Sequence, residues 1–412
     1  LFLMNPAGIL FGPNASLNVP ADFTATTATS IGLGHNNCFQ SIGDNNWANL
    51  VGNPSDFSFD LAQPGWVVNF GDLTLNSGQN LTLLGGGIIN SGNLSAPGGN
   101  ISIAAVPGES LVRISQPGNI LSLDIATPGL NQGVINPLSL PQLLTGGSQI
   151  LDATQVQQNA DGTITLTSSA VTIDPNTETG LVLAAGDVTT ETGGQVNVLT
   201  GGGNIILDQV NSDKVNINAN GGNITQVNSD SLINASAVQL QTYGQGGIGL
   251  ETQPLRLEAD NLEATAGSGG AFFEVPNGDI TIGGVTDELT GMSITDGGYF
   301  SLEAVGNITV NQDISTSVSF GNAGNITLTS EDGAIYTTGG EISAYSELGN
   351  GGSVSLTAQG DIHTSKINIE SYSEAGTGGN VSLQTTGGAI DTTGGVISAS
   401  SGYGNGGSVS LT

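Results

Sequence analysis

The sequence has 412 residues, of which 65 are glycine, 35 are acidic and only 4 are Lys or Arg. The formal net charge of −31 excludes nucleic acid and anionic membrane surfaces as partners, because phosphate binding requires clusters of Lys or Arg. The hydrophobic fraction of 37% excludes a disordered chain, and a single cysteine, Cys38, excludes an internal disulfide framework. The composition indicates many tight corners that join short buried strands.

The N-terminal stretch alternates apolar runs with two turns, Asn5 to Gly8 and Gly12 to Ala15. Proline sets φ for a turn and glycine allows a positive φ, so the first turn is predicted to be a tight corner. The run Asn5-Pro6-Ala7-Gly8-Ile9, with the Phe-Gly-Pro-Asn-Ala that follows, resembles the secretion domain of the filamentous haemagglutinin family. Members of this family are large exoproteins of Gram-negative two-partner secretion. Ala7 stands where the family usually has Asn.

The resemblance implies a secretion domain over residues 1–130 that caps a β-helix, and we expect it to be N-terminally incomplete. The residues that match the family's secretion motif are Asn5, Pro6, Gly8 and Ile9. A looser similarity continues to about residue 125. The resemblance further implies that an outer-membrane transporter of a two-partner system exports the chain, which then folds outside the cell.

Residues 34–66 interrupt the short apolar runs and contain five large aromatic residues: Phe39, Trp47, Phe57, Phe59 and Trp66. One interpretation is an aromatic loop that binds a ligand. The alternative, which we favour, is an insertion that packs its aromatic side chains onto the flank or end of the coil. Large apolar side chains are usually buried in this way.

Short apolar runs return at residue 71 and end near residue 103, and five prolines follow between residues 107 and 141. Proline removes a hydrogen-bond donor from a β-ladder, so residues 131–161 are predicted to be a Pro-rich linker outside the coil. Within residues 137–158 we expect loops, an edge hairpin and one short helix.

Residues 162–320 are predicted to continue the coil with irregular repeats. A Gly-Asn-Ile-Thr or Gly-Asp-Ile-Thr run begins at residues 222, 278 and 306, at intervals of 56 and 28 residues. Because 56 is two periods of 28, we expect the same repeat to continue beneath a more diverged surface, so that the coil is continuous and not confined to the last repeats.

Residues 321–412 repeat most regularly, with equivalent runs that begin at Gly324, Gly352, Gly379 and Gly407. The intervals are 28, 27 and 28 residues, and the last repeat stops partway, so we expect it to be C-terminally incomplete. Each repeat contains three short runs of alternating apolar and polar residues between glycine-rich corners. This pattern is typical of strands and not of helices.

Three strands per repeat predict an all-β fold, a right-handed parallel β-helix that forms a single elongated body. The handedness follows from the usual sense of parallel β-crossovers and from the family resemblance. Alignment of Ile342 with Ile367 would place Lys366 over Glu341 as a cross-strand ion pair.

No arrangement of side chains predicts an active site or a metal site. Alignment of the last repeats places three aspartates in three different columns, so their carboxylates are not expected to meet: Asp332, Asp361 and Asp391. His363 aligns with Tyr336 and is expected to be solvated, far from His35. Cys38 is interpreted as a small buried hydrophobic residue.

We therefore assign no catalytic, cofactor-binding or metal-ligating residue, and expect only diffuse Ca²⁺ binding to the acidic surface. The Asn-x-Ser/Thr triplets that begin at residues 307, 325 and 380 occur at regular places in the repeat. We interpret them as corner residues, because Asn tolerates the left-handed conformation and stacked Asn side chains hydrogen-bond along a coil.

These features favour a secreted or surface-tethered fibre with a structural or adhesive role, which is not an enzyme. Its expected partners are the transporter, a glycan or other cell-surface receptor, and further copies of itself. The alternative is a carbohydrate-active enzyme or a glycan-binding module on the same scaffold. Clustered carboxylates in a groove would favour that alternative.

Overall fold

The computed structural model describes residues 1–34, 37–116, 119–125, 156–158, 164–166, 171–173, 180–286, 289–364 and 368–412. Within these ranges the chain forms 41 β-strands and no helix. By internal contacts it divides into two compact units, Leu1–Asp213 and Lys214–Thr412. Most of residues 131–161, where a Pro-rich linker and one short helix were predicted, lie outside the described residues. Within that range, Val156–Gln158 is a strand.

The strands before residue 126 are β1 Phe2–Met4, β2 Ile9–Phe11, β3 Phe23–Thr26, β4 Ser30–Gly32, β5 Cys38–Gln40, β6 Asp56–Phe59, β7 Val67–Asn69, β8 Asp72–Thr74, β9 Leu81–Gly85, β10 Ile88–Asn90, β11 Asn93–Ala96, β12 Asn100–Ala105, β13 Ser110–Gln116 and β14 Asn119–Ile125. The next are β15 Val156–Gln158, β16 Ile164–Leu166, β17 Val171–Ile173, β18 Val182–Ala184, β19 Val188–Thr190, β20 Gln195–Thr200, β21 Ile205–Leu207 and β22 Gln209–Ala219.

The remaining strands are β23 Ile224–Gln226, β24 Leu232–Thr242, β25 Leu255–Ala266, β26 Ala271–Val275, β27 Ile280–Ile282, β28 Met292–Ile294, β29 Phe300–Ala304, β30 Ile308–Val310, β31 Ile314–Ser315, β32 Ile326–Ser330, β33 Ile335–Thr337, β34 Ile342–Ser346, β35 Val354–Ala358, β36 Ile362–His363, β37 Ile369–Ser373, β38 Val381–Thr385, β39 Ile390–Asp391, β40 Ile397–Ser401 and β41 Val409–Leu411.

The first unit is a coil with three parallel ladders. Each turn contributes one strand to each ladder, except that the first turn reaches the third ladder only through a bridge between Ser16 and Asp72. The ladders are β1-β3-β9-β12-β20, β2-β7-β10-β18-β21 and β8-β11-β19-β22. Aliphatic residues stack in register along the second ladder as Ile9, Val67, Ile88, Val182 and Ile205. All five are buried, so this column is part of the core.

Two excursions leave this coil and form a separate antiparallel sheet in the order β14-β13-β6-β4-β5. The first excursion lies between β3 and β7, and the second follows β12. Phe57 and Phe59 of β6 are buried against Leu84 and Ala104, which belong to the coil strands β9 and β12. The added sheet is therefore attached to the flank of the coil by apolar packing.

The second unit repeats the same three-stranded turn with greater regularity. Its ladders are β26-β29-β32-β35-β38-β41, β27-β30-β33-β36-β39 and β28-β31-β34-β37-β40. Ile326 pairs with Val354, which pairs with Val381, which pairs with Val409. These pairs confirm the predicted intervals of 28, 27 and 28 residues.

The predicted right-handed parallel β-helix with three strands per turn is thus confirmed. That its coils form a single elongated body stays a prediction. Ile335, Ile362 and Ile390 also pair in register, which confirms the alignment of the last repeats that separated the three aspartates.

The earliest Gly-Asn-Ile-Thr run, which begins at Gly222, lies in a different ladder from the two later runs. Ile280 does pair with Ile308, as expected. However, Ile224 bridges to Ile248 and Ile248 to Ala271, so Ile224 belongs to the ladder of Phe300 and not to that of Ile280. The same four-residue run starts a strand on more than one side of the coil, because each corner requires a similar path of the backbone. An interval of two periods therefore does not identify the side.

The register that placed Lys366 over Glu341 is also wrong. Ile342 pairs with Ile369, two residues beyond the predicted Ile367, and Lys366 lies outside the described residues. The residue over Glu341 is Asn368, whose side-chain amide donates a 2.9 Å hydrogen bond to the Glu341 carboxylate. A shift by two residues keeps each side chain on the same face, so alternation alone did not distinguish the two registers.

Asn and Asp side chains connect successive coils at the corners. The side-chain oxygens of Asn325, Asn350 and Asn380 each accept a hydrogen bond from a backbone N–H 27 or 28 residues later, at 2.8–2.9 Å. The predicted bonding along the coil therefore exists, with backbone donors. In the described ranges, the only non-glycine residue with a positive φ is Asp296. The triplet asparagines therefore do not adopt the left-handed conformation, and that prediction is wrong.

Replacement of Leu356 tests the inner columns of the second unit. Leu356 is fully buried between Leu328 and Leu383. We expect Leu356→Ala to lower the free energy of unfolding by about 2–5 kcal/mol, because a cavity forms between coils that cannot collapse. Urea denaturation measures this loss. The control is Leu348→Ala in the same coil, which removes an exposed side chain and should change stability by less than about 0.5 kcal/mol. Equal losses in both variants would contradict the packing.

Candidate functional site: the N-terminal turn and its supporting coils

The predicted secretion motif forms one tight turn between β1 and β2. The Gly8 N–H donates to the Asn5 carbonyl at 3.1 Å, and the Asn5 side-chain amide donates to the Gly8 carbonyl at 2.9 Å. The Ala7 N–H donates to the Asn5 side-chain oxygen at 3.2 Å. Gly8 has a φ of 125°, which a side chain would disfavour. Asn5 thus closes the turn from both sides, and the predicted Asn5, Pro6, Gly8 and Ile9 lie together.

Burial differs sharply along this turn. Pro6, Gly8 and Ile9 are buried, whereas Asn5 and Ala7 are exposed. The exposed position of Ala7 explains why the turn forms without the Asn that the family usually has there. Asn5 and Ala7 are the residues of the motif that present atoms to the surroundings.

The second coil of the first unit holds the turn in place. The Ile9 N–H donates to the Trp66 carbonyl at 2.9 Å, and the Gly65 N–H donates to the Pro6 carbonyl at 3.1 Å. A Cβ atom at Gly65 would lie only 2.5 Å from the Gly8 nitrogen, so the turn approaches this glycine as closely as backbone allows. The turn is therefore stabilised by Gly65 and Trp66, where the chain returns from the first excursion, as well as by its own residues.

Buried asparagines that the sequence analysis did not identify connect the coils at the other end of β7, where Asn69 pairs with Phe11. Asn69 and Asn90 are fully buried and stack in register in β7 and β10. The Asn69 side-chain amide donates to the Asn90 side-chain oxygen at 2.8 Å and to the Gly71 carbonyl at 3.1 Å. The available signal was the recurrence of Asn at the ends of two apolar strands, 21 residues apart.

The aromatic residues of the first excursion differ in how far they are buried. Phe57 and Phe59 are buried on the coil flank, which confirms the favoured interpretation for them. Trp66 is half-buried over Gly87, where a Cβ atom would lie 2.7 Å from its ring. For Trp47 the interpretation is wrong: its side chain is 73% exposed and contacts the Phe39 ring at a centroid distance of 5.9 Å. Cys38 is also exposed, contrary to expectation.

Three carboxylates meet on an outer face of the second unit, which the sequence analysis missed. Glu274 pairs in register with Glu303, and Glu331 follows β32 nearby. Partial burial, a hydrogen bond with Glu331, and the charges of Glu331 and Glu274 all raise the pKa of Glu303. Arg256 pairs with Glu274 at 3.2 Å. The described residues contain no group of three or more His, Cys, Asp or Glu side chains that could hold a metal ion.

Other polar groups have structural partners. Glu263 is fully buried, and its carboxylate accepts hydrogen bonds from the Val285 and Thr286 N–H groups at 3.0 and 3.1 Å. His363 lies in an exposed outer column, as predicted, with Nδ1 3.2 Å from Asp391 Oδ2. His35 lies outside the described residues.

Two tyrosines stack on an outer face of the same unit. The rings of Tyr345 and Tyr372 have a centroid distance of 5.6 Å and an interplanar angle of 7°. Desolvation and the nearby Glu374 and Glu347 carboxylates raise the pKa of the Tyr345 phenol.

The fold and the turn define a class of protein: a parallel β-helix whose first coils present a turn fixed by Asn5 and Gly8. Residues 1–166 match the model of the family described as the TPS secretion domain. No curated protein and no solved structure matches the chain. Within the described residues, no helix has the length and apolar character needed to cross a bilayer.

The match gives the N-terminal turn a functional setting. A TPS secretion domain implies an outer-membrane transporter as its partner, and the chain is exported across the outer membrane by two-partner secretion. Proteins with this domain are secreted exoproteins that are typically not enzymes.

Substitution of Gly65 tests the support of the turn. We expect Gly65→Ala to displace the Asn5–Gly8 turn and to lower the free energy of unfolding by about 1–3 kcal/mol, because the new methyl group would overlap backbone atoms of Pro6, Ala7 and Gly8. Urea denaturation and hydrogen exchange at the Gly8 and Ile9 amides measure the effect. The control is Gly12→Ala, since no atom lies within 4 Å of its added Cβ. Unchanged exchange in the Gly65 variant would show that the turn does not depend on this contact.

The pKa of Glu303 yields a prediction on pH. A raised native pKa means that the folded state holds this proton more tightly, so the associated stability is present at low pH and is lost as pH rises through the native pKa. At pH 7 the carboxylate repels Glu274 and Glu331, and Glu303→Gln should raise the melting temperature by about 1–3 °C. At pH 4 the difference should shrink. The control Glu251→Gln makes the same charge change at an exposed site. A Glu303→Gln variant no more stable than the parent at pH 7 would refute the repulsion.

Proposed function

We propose that the chain is a structural or adhesive fibre protein of the outer cell surface or the surrounding medium, reached through its two-partner transporter. The observation that supports this proposal most is the constant register of the coils from β26 to β41. Each turn adds the same three strands and the same buried aliphatic columns. A repeat of this kind extends a surface without forming a cleft. This arrangement favours a protein that extends and contacts other surfaces over an enzyme.

The outer faces of these coils support the same role. In the ladder that contains β32, the outward positions are mostly Ser and Thr, as in Thr327, Ser355 and Ser382. Small hydroxyl side chains keep the face soluble and leave many weak donors and acceptors exposed along the coil. We propose that this face contacts a glycan or another cell-surface receptor, or further copies of the chain in a fibre or matrix.

The alternative is a carbohydrate-active enzyme or a glycan-binding module, and the carboxylate cluster of Glu274, Glu303 and Glu331 is the observation that favours it. A carboxylic acid with a raised pKa beside a second carboxylate is the pairing that glycoside hydrolysis uses. However, desolvation by partial burial, together with the hydrogen bond to Glu331 and the charges of Glu331 and Glu274, raises the pKa of Glu303 without a substrate. We therefore keep the fibre as the proposed function.

One experiment separates the two functions. Gram-negative cells that produce the chain together with its transporter are expected to adhere to one another and to abiotic surfaces more than cells without the chain, and external protease should reverse the gain. A Glu303→Gln/Glu331→Gln variant should adhere as the parent does, because these side chains have no part in a fibre. Adherence that does not depend on the chain would refute the proposed function. Polysaccharide cleavage by the parent that the double variant lacks would establish the alternative.

A further inference from the structure

One corner of the second unit, which follows the ladder β28-β31-β34-β37-β40, exposes an apolar side chain in successive coils. Phe320 is 79% exposed, Leu348 57% and Tyr403 85%. The backbone N–H groups of Leu348, Ala375 and Tyr403 each donate to a carbonyl of the preceding coil, at 3.0–3.2 Å. Parallel pairing of this kind places four residues in one column, which we name the corner column: Phe320, Leu348, Ala375 and Tyr403. Single exposed apolar residues are ordinary, but a column of them indicates a surface for a partner.

Two stacked tyrosines lie beside this corner. Tyr345 and Tyr372 pair in register in β34 and β37, and their rings are parallel within 7° at a centroid distance of 5.6 Å. A Cβ atom at Gly402 would lie 3.1 Å from the Tyr372 hydroxyl, so the stack reaches the part of the corner that carries Tyr403. Ser400 follows Tyr372 in its column, and its side chain is too small to cover the second face of the ring. The stack therefore presents an open aromatic face next to the corner column.

Carboxylates lie among these apolar groups. Glu347 and Glu374 are exposed and directly precede Leu348 and Ala375 of the corner column. Desolvation and then the charges of Glu374 and Glu347 raise the pKa of the Tyr345 phenol, so the negative charge of both carboxylates acts on the stack. In the part of the chain that the structure describes, neither carboxylate has an ion-pair partner. The surface is thus both aromatic and negatively charged.

We propose that this surface, formed by the corner column, the two stacked tyrosines and the two glutamates, binds an arginine-rich segment of a partner protein. A guanidinium group is planar, so it stacks on a tyrosine ring while its N–H groups bond a carboxylate. The corner column contacts the aliphatic part of the same arginine side chains. Because the chain carries a net charge of −31, this surface repels nucleic acid, anionic lipid and a second copy of the chain. Charge complementarity therefore favours a basic partner.

This inference deepens the proposed function and rests on it in one respect, because it names the kind of cell-surface receptor that an adhesive protein would contact. Binding is measured on the purified chain, whereas adhesion is measured on cells. A chain that binds the basic peptide and does not promote adherence would refute the adhesive role alone. A chain that promotes adherence and does not bind the peptide would refute this inference alone.

The first test removes the two rings without changing the charge. The probe is a peptide of nine arginines, and calorimetry measures its dissociation constant for the purified full chain in about 0.15 M salt. We expect Tyr345→Ser/Tyr372→Ser to raise the dissociation constant at least about tenfold, because the guanidinium groups lose their stacking partners. The control Tyr243→Ser/Tyr299→Ser removes exposed tyrosines elsewhere in the same unit and should change it by less than about twofold. Tyr345→Phe/Tyr372→Phe keeps the rings and should bind as the parent does.

The second test removes the two charges and keeps the rings. Glu347→Gln/Glu374→Gln should raise the dissociation constant of the arginine peptide at least about tenfold. The control Glu191→Gln/Glu251→Gln makes the same charge change at exposed sites elsewhere and should raise it by less than about threefold. All four glutamates are exposed, so the melting temperature should not change. If loss of the stacked rings lowers the melting temperature, this glutamate pair decides the test.

Three results would overturn the proposal. The first is an equal loss of binding in either variant and its control, which would indicate general attraction to an acidic chain. The second is equal affinity for a peptide of nine lysines, because an ammonium group lacks the planar shape that stacks on a ring. The third is a dimer of the parent in sedimentation that the Tyr345→Ser/Tyr372→Ser variant does not form, which would assign the surface to a second copy of the chain.

Discussion

The stacking of each coil directly on the coil before it is the constraint on which the other features depend. Parallel ladders place every residue over its counterpart about 4.8 Å away, so an inward column must hold side chains that pack or hydrogen-bond with one another from coil to coil. The inward columns of the last repeats are therefore largely apolar, as with Leu328, Leu356 and Leu383. Where a strand ends, its backbone groups lose their ladder partners, and Asn or Asp oxygens of the preceding coil accept the free N–H groups.

The same constraint explains the organisation of the secretion domain. A stacked coil can accommodate extra chain only at its corners, where an insertion leaves the columns intact. The first excursion departs after β3 and returns at Gly65 and Trp66, whose backbone atoms bond the Asn5–Gly8 turn. The motif that characterises the family is thus completed by residues about sixty positions later in the chain.

Sequence patterns predicted the period, the strands and the inward faces of the last repeats because these properties are local. Alternation identifies a strand and its buried side, and a constant interval identifies the stacked partner. The sequence pattern did not identify the paired residue where more than one alignment of two strands fits the same alternation or interval. The run that begins at Gly222 could start a strand on any side of the coil, and Ile367 and Ile369 are equally apolar and only two residues apart in the sequence. The choice between them depends on contacts with neighbouring coils.

The sequence by itself determined that this chain is an acidic, glycine-rich β-helix with a tight turn from Asn5 to Gly8, because composition, period and turn chemistry are properties of residues near one another in the chain. Only the tertiary structure decided which aromatic residues are buried and which carboxylates meet. Phe57 and Trp47 have similar apolar character, but one lies over Leu84 and Ala104 and the other faces solvent. Glu274 and Glu303 are 29 residues apart and come together only because one coil lies on the next.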